Sequence, residues 1–292
     1  MIRGSIVALV TPFNASGAVD YEALKRLVEF HVSEGTHGIV AVGTTGESAT
    51  LSHSEDRDVI RATVDFVAGR IPVIAGAGSN ATAEACQLTE AATLAGADAI
   101  LSVAPYYNKP PQAGLLAHFR AVAKSTDLPV ILYNVPGRTV TDISDDTTLE
   151  LAEVSNISGI KDATGDLDRA KYLLEHRPEG FAVYSGDDPT AMELCLMGGD
   201  GDISVTANVA PRLMASMIEF ALAGNFREAE ATNNLLRGLH SELFVEPNPI
   251  PSKWALSEMG IMGSDCRLPL VPLTDAGKNA VREACGLAGI HL

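Results

Sequence analysis

Cysteine is scarce in this chain and scattered: Cys86, Cys195, Cys266 and Cys285 form no C-x-x-C pair. Neither a disulfide framework nor a zinc site is expected, and a reducing cytoplasm fits. Positive charge is also short, with 21 Lys and Arg against 37 Asp and Glu and a formal net charge of −16. That balance argues against nucleic acid or an anionic membrane as a partner. It equally obliges any anionic substrate to find local positive potential, since the global field opposes it. Long apolar runs are missing too. Ser5–Val10 is too short for a signal-peptide core or a membrane span and reads as a first strand. No group of His, Asp and Glu has metal-ligand spacing, so neither a metal nor metal-assisted chemistry is expected.

The 292 residues are 46% hydrophobic and 20% charged, which supplies a sizeable core and disfavours disorder. Short runs rich in Val, Ile and Ala recur, each bounded by Gly, Pro, Asn or Asp. They are Ser5–Val10, Gly38–Gly43, Val73–Gly78, Ala99–Ala104, Val130–Val135, Ser158–Ala163, Ala182–Ser185 and Asp202–Thr206. Apolar almost throughout, they suit strands buried on both faces of a parallel sheet. Helical patterns separate them. The first is opened by Asp20, places Tyr21, Leu24, Leu27, Val28 and His31 on one face, and is closed by Gly35. The second opens on a capping-box pattern, Ser52-His53-Ser54-Glu55, and stops near Gly69. Asp188-Pro189 marks a further helix start, with Gly198-Gly199 at its end. This alternation predicts an α/β fold, a (β/α)8 TIM barrel over residues 1–224. A small C-terminal helical extension over 225–292 follows, with helices around Phe226–Leu243, Ser252–Gly260 and Asp275–Ala288. A doubly wound sheet is the competitor, but no G-x-G-x-x-G opens the first helix.

In such a barrel the chemistry collects at the C-terminal ends of the strands. Those ends carry Gly43-Thr44-Thr45-Gly46-Glu47-Ser48, Pro105-Tyr106-Tyr107-Asn108 and Tyr133-Asn134-Val135-Pro136-Gly137-Arg138. Lys161-Asp162 lies within the sixth strand, Gly186 follows the seventh, and Ile203 falls within the eighth. Of seven lysines, only Lys161 interrupts an apolar strand; the other six fall in helices or loops, where an ammonium stays hydrated. Desolvation of a lysine in a barrel interior favours the neutral amine, a nucleophile that forms a Schiff base with a carbonyl. Thr44 and Thr45, in a Gly-bounded turn, offer hydroxyls and backbone N–H groups for a small carboxylate. Taken alone, that motif is equally an ordinary βα turn. Tyr133 can shuttle protons or simply be a core tyrosine, and Arg138 can clamp a carboxylate or make a surface ion pair. Tyr106 and Tyr107 suit packing at an interface equally well.

Gly43-Thr44-Thr45-Gly46-Glu47, Tyr133-Asn134-Val135-Pro136 and Gly159-Ile160-Lys161-Asp162 together resemble the pyruvate-dependent class I aldolases, the family that includes dihydrodipicolinate synthase and N-acetylneuraminate lyase. Pro105-Tyr106-Tyr107-Asn108-Lys109-Pro110, Arg138-Thr139 and Pro247-Asn248-Pro249-Ile250-Pro251 with Lys253-Trp254 resemble the synthase branch. The likeness runs from Gly4 to about Ala284. It implies that Lys161 condenses with pyruvate, without a cofactor. Thr45 with Thr44 would hold the pyruvate carboxylate, beside Gly186 and the Ile203 backbone, while Tyr133 moves protons. Thr44 would link Tyr133 to Tyr107, which comes from the neighbouring subunit of a homotetramer built from tight dimers. Arg138 would position L-aspartate 4-semialdehyde, giving 4-hydroxy-tetrahydrodipicolinate on the route to lysine and diaminopimelate.

The resemblance further implies feedback by L-lysine at the tight interface, through Ser48, Ala49, His53, Asn80, Glu84 and Tyr106. Asp56 departs from some regulated relatives, which carry histidine there; it either attracts the ligand's side-chain ammonium or faces solvent. The nearest rival is an aldolase or dehydratase acting on N-acetylneuraminate or a 2-keto-3-deoxy sugar acid, which needs a hydroxyl-binding pocket in place of Arg138. A catalytically silent scaffold has no use for a buried lysine.

Overall fold

A computed structural model describes residues 1–292. Eight strands form a closed, all-parallel barrel in chain order. They are β1 (Gly4–Ala8), β2 (Gly38–Ala41), β3 (Val73–Gly76), β4 (Ala99–Val103), β5 (Val130–Asn134), β6 (Ile157–Asp162), β7 (Ala182–Ser185) and β8 (Gly201–Ser204). Around them run α1 (Tyr21–Ser33), α2 (His53–Val67), α3 (Thr82–Leu94), α4 (Gln112–Lys124), α5 (Pro136–Thr139) and α6 (Asp145–Ala152). Then come α7 (Leu167–His176), α8 (Ala191–Leu196) and α9 (Pro211–Leu222), with α10 (Phe226–Glu242), α11 (Ile250–Glu258) and α12 (Asp275–Leu287) beyond the last strand. No helix is long and apolar enough to cross a membrane.

Because side chains alternate along a strand, the barrel has two cores. Residues such as Ile6, Val40, Ile74, Leu101, Ile131, Tyr133 and Ile203 fill the interior. A larger shell, including Val7, Ile39, Ile100, Leu132, Ile160 and Val183, packs between strands and helices. Alternation from Gly159 places Lys161 on the interior side, while Ile160 belongs to the outer shell.

Most helix signals act as read from the sequence. The Asp20 side chain accepts from Ala23 N–H, and Ser52 with Glu55 closes the capping box. Two expectations are corrected and one is refined. Tyr21 is exposed, because a first-turn side chain leans beyond the helix start, away from the core. The helix start at Asp188-Pro189 holds, as a single 3₁₀ turn that runs into α8, but the Asp188 carboxylate is buried and caps neither. It accepts instead from the N–H groups of Val205 at 3.1 Å and Thr206 at 2.8 Å, the donors its burial requires. Finally, Lys253 is not hydrated: its side chain is 0% exposed, inside a helix buried nearly all round.

Candidate active site

The β5–β6 ladder sets Tyr133 directly opposite Lys161, and both side chains enter the barrel. The Lys161 ammonium nitrogen lies 4.3 Å from the centroid of the Tyr133 ring. Lys161 is 5% exposed and has no carboxylate within ion-pair distance. Its stem rests on Gly186: a Cβ there would meet Lys161 Cε at 2.7 Å and Ala163 Cβ at 2.9 Å. Glycine at this position is therefore a steric requirement of the lysine's path.

A recess of about 140 Å³ opens above the lysine, lined by Thr44, Thr45, Tyr133, Arg138, Lys161 and Gly186, among others. Arg138, on α5, is exposed at its edge and makes no ion pair. Ile203 is buried in the barrel interior beneath. Asp187, Phe244 and Asn248 complete the wall. Asp187 and Phe244 carry no sequence signal; Asn248 stood in a quoted motif without a role. Its side-chain amide donates to Thr45 Oγ1 at 2.9 Å, while its Oδ1 is buried without a partner. That leaves the Thr45 hydroxyl proton free to donate toward the recess.

A larger cavity of about 410 Å³ adjoins it, sharing Gly43, Thr44, Leu101, Tyr133, Val135 and Arg138. Its far side is lined by Ser48, Ala49, His53, Glu84 and Tyr106. His53 Nε2 and Glu84 Oε1 are 2.8 Å apart, and Ser79 also hydrogen-bonds Glu84. Asn80 is not on that wall; its carbonyl accepts from the Asn108 amide at 2.8 Å. Asp56 does not face solvent. It lines the cavity, its Oδ1 is buried without a partner, and burial pushes its carboxyl up to about 7.

Tyr107 stands apart from both cavities, 88% exposed and with a left-handed φ of 75°. Val42, Glu47 and Val140 share that unfavourable region at 58°, 56° and 57°, all beyond strand ends on the same face of the barrel. Non-glycine residues held there store backbone strain, which concentrates at functional sites.

The sequence pattern of the dihydrodipicolinate synthetase family matches residues 1–286. A 4-hydroxy-tetrahydrodipicolinate synthase of Aromatoleum aromaticum is 56% identical over 292 residues, covering 100% of both chains. The crystal structure of dihydrodipicolinate synthase from Acinetobacter baumannii, complexed with pyruvate, superposes with a TM-score of 0.98 at 53% identity, covering 99% of this chain and 100% of that one. The dihydrodipicolinate synthase of Cyanidioschyzon merolae with lysine bound superposes with a TM-score of 0.95 at 41% identity, covering 99% of each chain. A barrel with one unpaired interior lysine, a threonine turn beside it and these full-length likenesses lead to one assignment: the chain belongs to the dihydrodipicolinate synthetase family.

Proposed function

We propose that this chain condenses pyruvate with L-aspartate 4-semialdehyde to give 4-hydroxy-tetrahydrodipicolinate, in the biosynthesis of diaminopimelate and lysine. The observation that carries the reading is Lys161, unpaired inside the barrel and facing Tyr133 below a recess edged by Arg138. The Lys161 amine attacks the pyruvate carbonyl, and water leaves to give an imine. Loss of a methyl proton makes an enamine, whose carbon adds to the aldehyde of the second substrate. The acceptor's own amine then attacks the imine carbon, closes the ring and releases Lys161.

The side chains divide this work. Thr44 and Thr45 hold the pyruvate carboxylate, with Gly186 and the Ile203 backbone alongside. Tyr133 gives and takes protons. Arg138 holds the acceptor's carboxylate and so supplies the local positive potential that a net charge of −16 denies at long range. The unpartnered Asn248 Oδ1 and the Asp187 carboxylate suit the acceptor's ammonium. A sugar-acid substrate is disfavoured by this charged wall. Incubation with pyruvate and the semialdehyde should give the cyclic product, whereas faster cleavage of N-acetylneuraminate or a 2-keto-3-deoxy sugar acid would overturn the assignment.

The exposure of Tyr107 belongs to the same reading: a neighbouring subunit brings this residue to Thr44 in a homotetramer of tight dimers. Residues 1–224 act as the catalytic barrel, residues 225–292 as its helical extension, and the protein works in the cytoplasm. The larger cavity takes L-lysine as a feedback inhibitor, as a relative solved with lysine bound supports. Its ammonium groups meet Glu84 and Asp56, with Ser48, Ala49, His53 and Tyr106 around them. Asp56 is faced by His53, Glu55 and Glu84 and gains its charge near pH 7. An ionised Asp56 attracts an ammonium. Lysine inhibition should therefore strengthen between about pH 6 and 8, and Asp56→Asn should flatten that rise. Inhibition absent at millimolar lysine, or unchanged in Glu84→Thr, would show that the cavity is not regulatory.

A further inference from the structure

Lys253 has no part in the chemistry described above, yet the C-terminal motif Asn248 to Lys253 reaches the threonine turn by two routes. The first is the Asn248 amide bonded to Thr45 Oγ1. The second is a buried ion pair, Lys253 with Glu47, whose side chains are 0% and 1% exposed. Glu47 is the last residue of the turn that holds Thr44 and Thr45. Its N–H donates to the Thr44 carbonyl at 3.1 Å, and its φ of 56° is left-handed without glycine to ease it.

The carboxylate of Glu47 is held on both oxygens. Lys253 takes Oε1, and the Arg267 backbone N–H donates to Oε2 at 3.0 Å. Lys253 is held in turn by the Asp265 carbonyl at 2.7 Å and stacks 4.2 Å from the centroid of the Phe13 ring. The Arg267 guanidinium covers the other side, bonding Glu55 and the Thr50 carbonyl. A buried ion pair is a poor source of stability, because its attraction barely offsets the lost hydration of two charges. What it supplies is direction. Here it fixes a strained residue at the end of a carboxylate-binding turn, from a helix more than 200 positions away in the chain.

We propose that Glu47 and Lys253 are positioning residues for pyruvate: the pair sets the Thr44–Glu47 turn so that its hydroxyls and N–H groups meet the pyruvate carboxylate. On this account the helical region after the barrel is part of the substrate site. The inference rests on the pyruvate reading above and concerns only how the first substrate is held.

The test uses the full-length protein and two readouts, steady-state kinetics and borohydride trapping of the pyruvate adduct over a range of pyruvate concentrations. Lys253→Met and Glu47→Gln each leave one buried charge alone and can lose stability; the double variant Glu47→Gln/Lys253→Met removes both charges and is read in the same way. In the folded variants, half-saturating pyruvate should rise roughly ten- to hundredfold in both assays, the scale expected when a binding group is displaced by about 1 Å. The KM for the semialdehyde and the rate at saturating pyruvate should stay close to those of the parent. Parental pyruvate saturation in the folded double variant would overturn the proposal, as would an equal loss for both substrates. Failure of the parent itself to trap pyruvate would instead remove the reading on which the inference rests.

Discussion

Lys161→Ala is expected to lower turnover by about a thousandfold or more, which corresponds to roughly 4 kcal/mol of barrier. No second amine can replace it. Lys253 is locked in the Glu47 pair, and the remaining lysines are intermediate in exposure or exposed. Arginine should fail at this position as well, because a guanidinium stays protonated and cannot attack a carbonyl. The fold should survive both changes to different degrees. Alanine leaves a gap beside Gly186 and Tyr133, whereas arginine overfills the passage that Gly186 leaves open. Circular dichroism alongside the assay separates lost chemistry from lost structure. A variant at position 161 that keeps more than about a tenth of parental turnover would rule out the imine route.

Arg138→Ala should divide the two half-reactions. Imine formation with pyruvate needs Lys161 and the threonine turn, neither of which bonds Arg138. On the proposed reading, the guanidinium holds the carboxylate of the semialdehyde. A charge-assisted contact contributes about 1.5–3 kcal/mol, so kcat/KM for the semialdehyde should fall roughly ten- to hundredfold or more. Trapping of pyruvate should remain near parental levels. Arg138→Lys should recover only part of the loss, since an ammonium cannot present two parallel N–H groups to a carboxylate. Equal damage to trapping and turnover would make Arg138 a structural residue and weaken the choice of acceptor.

The barrel was legible because its strands are buried on both faces and therefore read as uninterrupted apolar runs. Their C-terminal ends were read one or two residues too long in most cases. Val42, Val135, Ala163 and Val205 are apolar and continue each pattern, but the backbone has already left the ladder. Val42 does so with a φ of 58°, and its carbonyl lies 2.2 Å from where a Cβ on Gly76 would sit, so the turn depends on that glycine. Side-chain periodicity carries no information on where a ladder stops.

Lys161 was legible for the opposite reason: it is the only lysine that falls in an otherwise largely apolar strand, with Asp162 its one charged neighbour there. Lys253 was not. It lies in a helix buried nearly all round, so no amphipathic stripe marks a special position, and its partner Glu47 is distant in sequence. Asp56 stayed open between two readings, ammonium partner or solvated group. In the first turn of a capped helix an acid is ordinarily a solvated group favoured by the helix dipole. Only the tertiary packing of α2 against α3 and β3 turns it into the wall of a cavity. Tyr107 shows a further limit: it is 88% exposed and lines neither cavity, so nothing within its own chain marks a role for it.

The most direct measurement is reduction of the pyruvate complex with borohydride, followed by peptide mapping. One stable pyruvate adduct per chain, on the peptide that carries Lys161, is the predicted result. No adduct, or an adduct on any other lysine, would contradict the account.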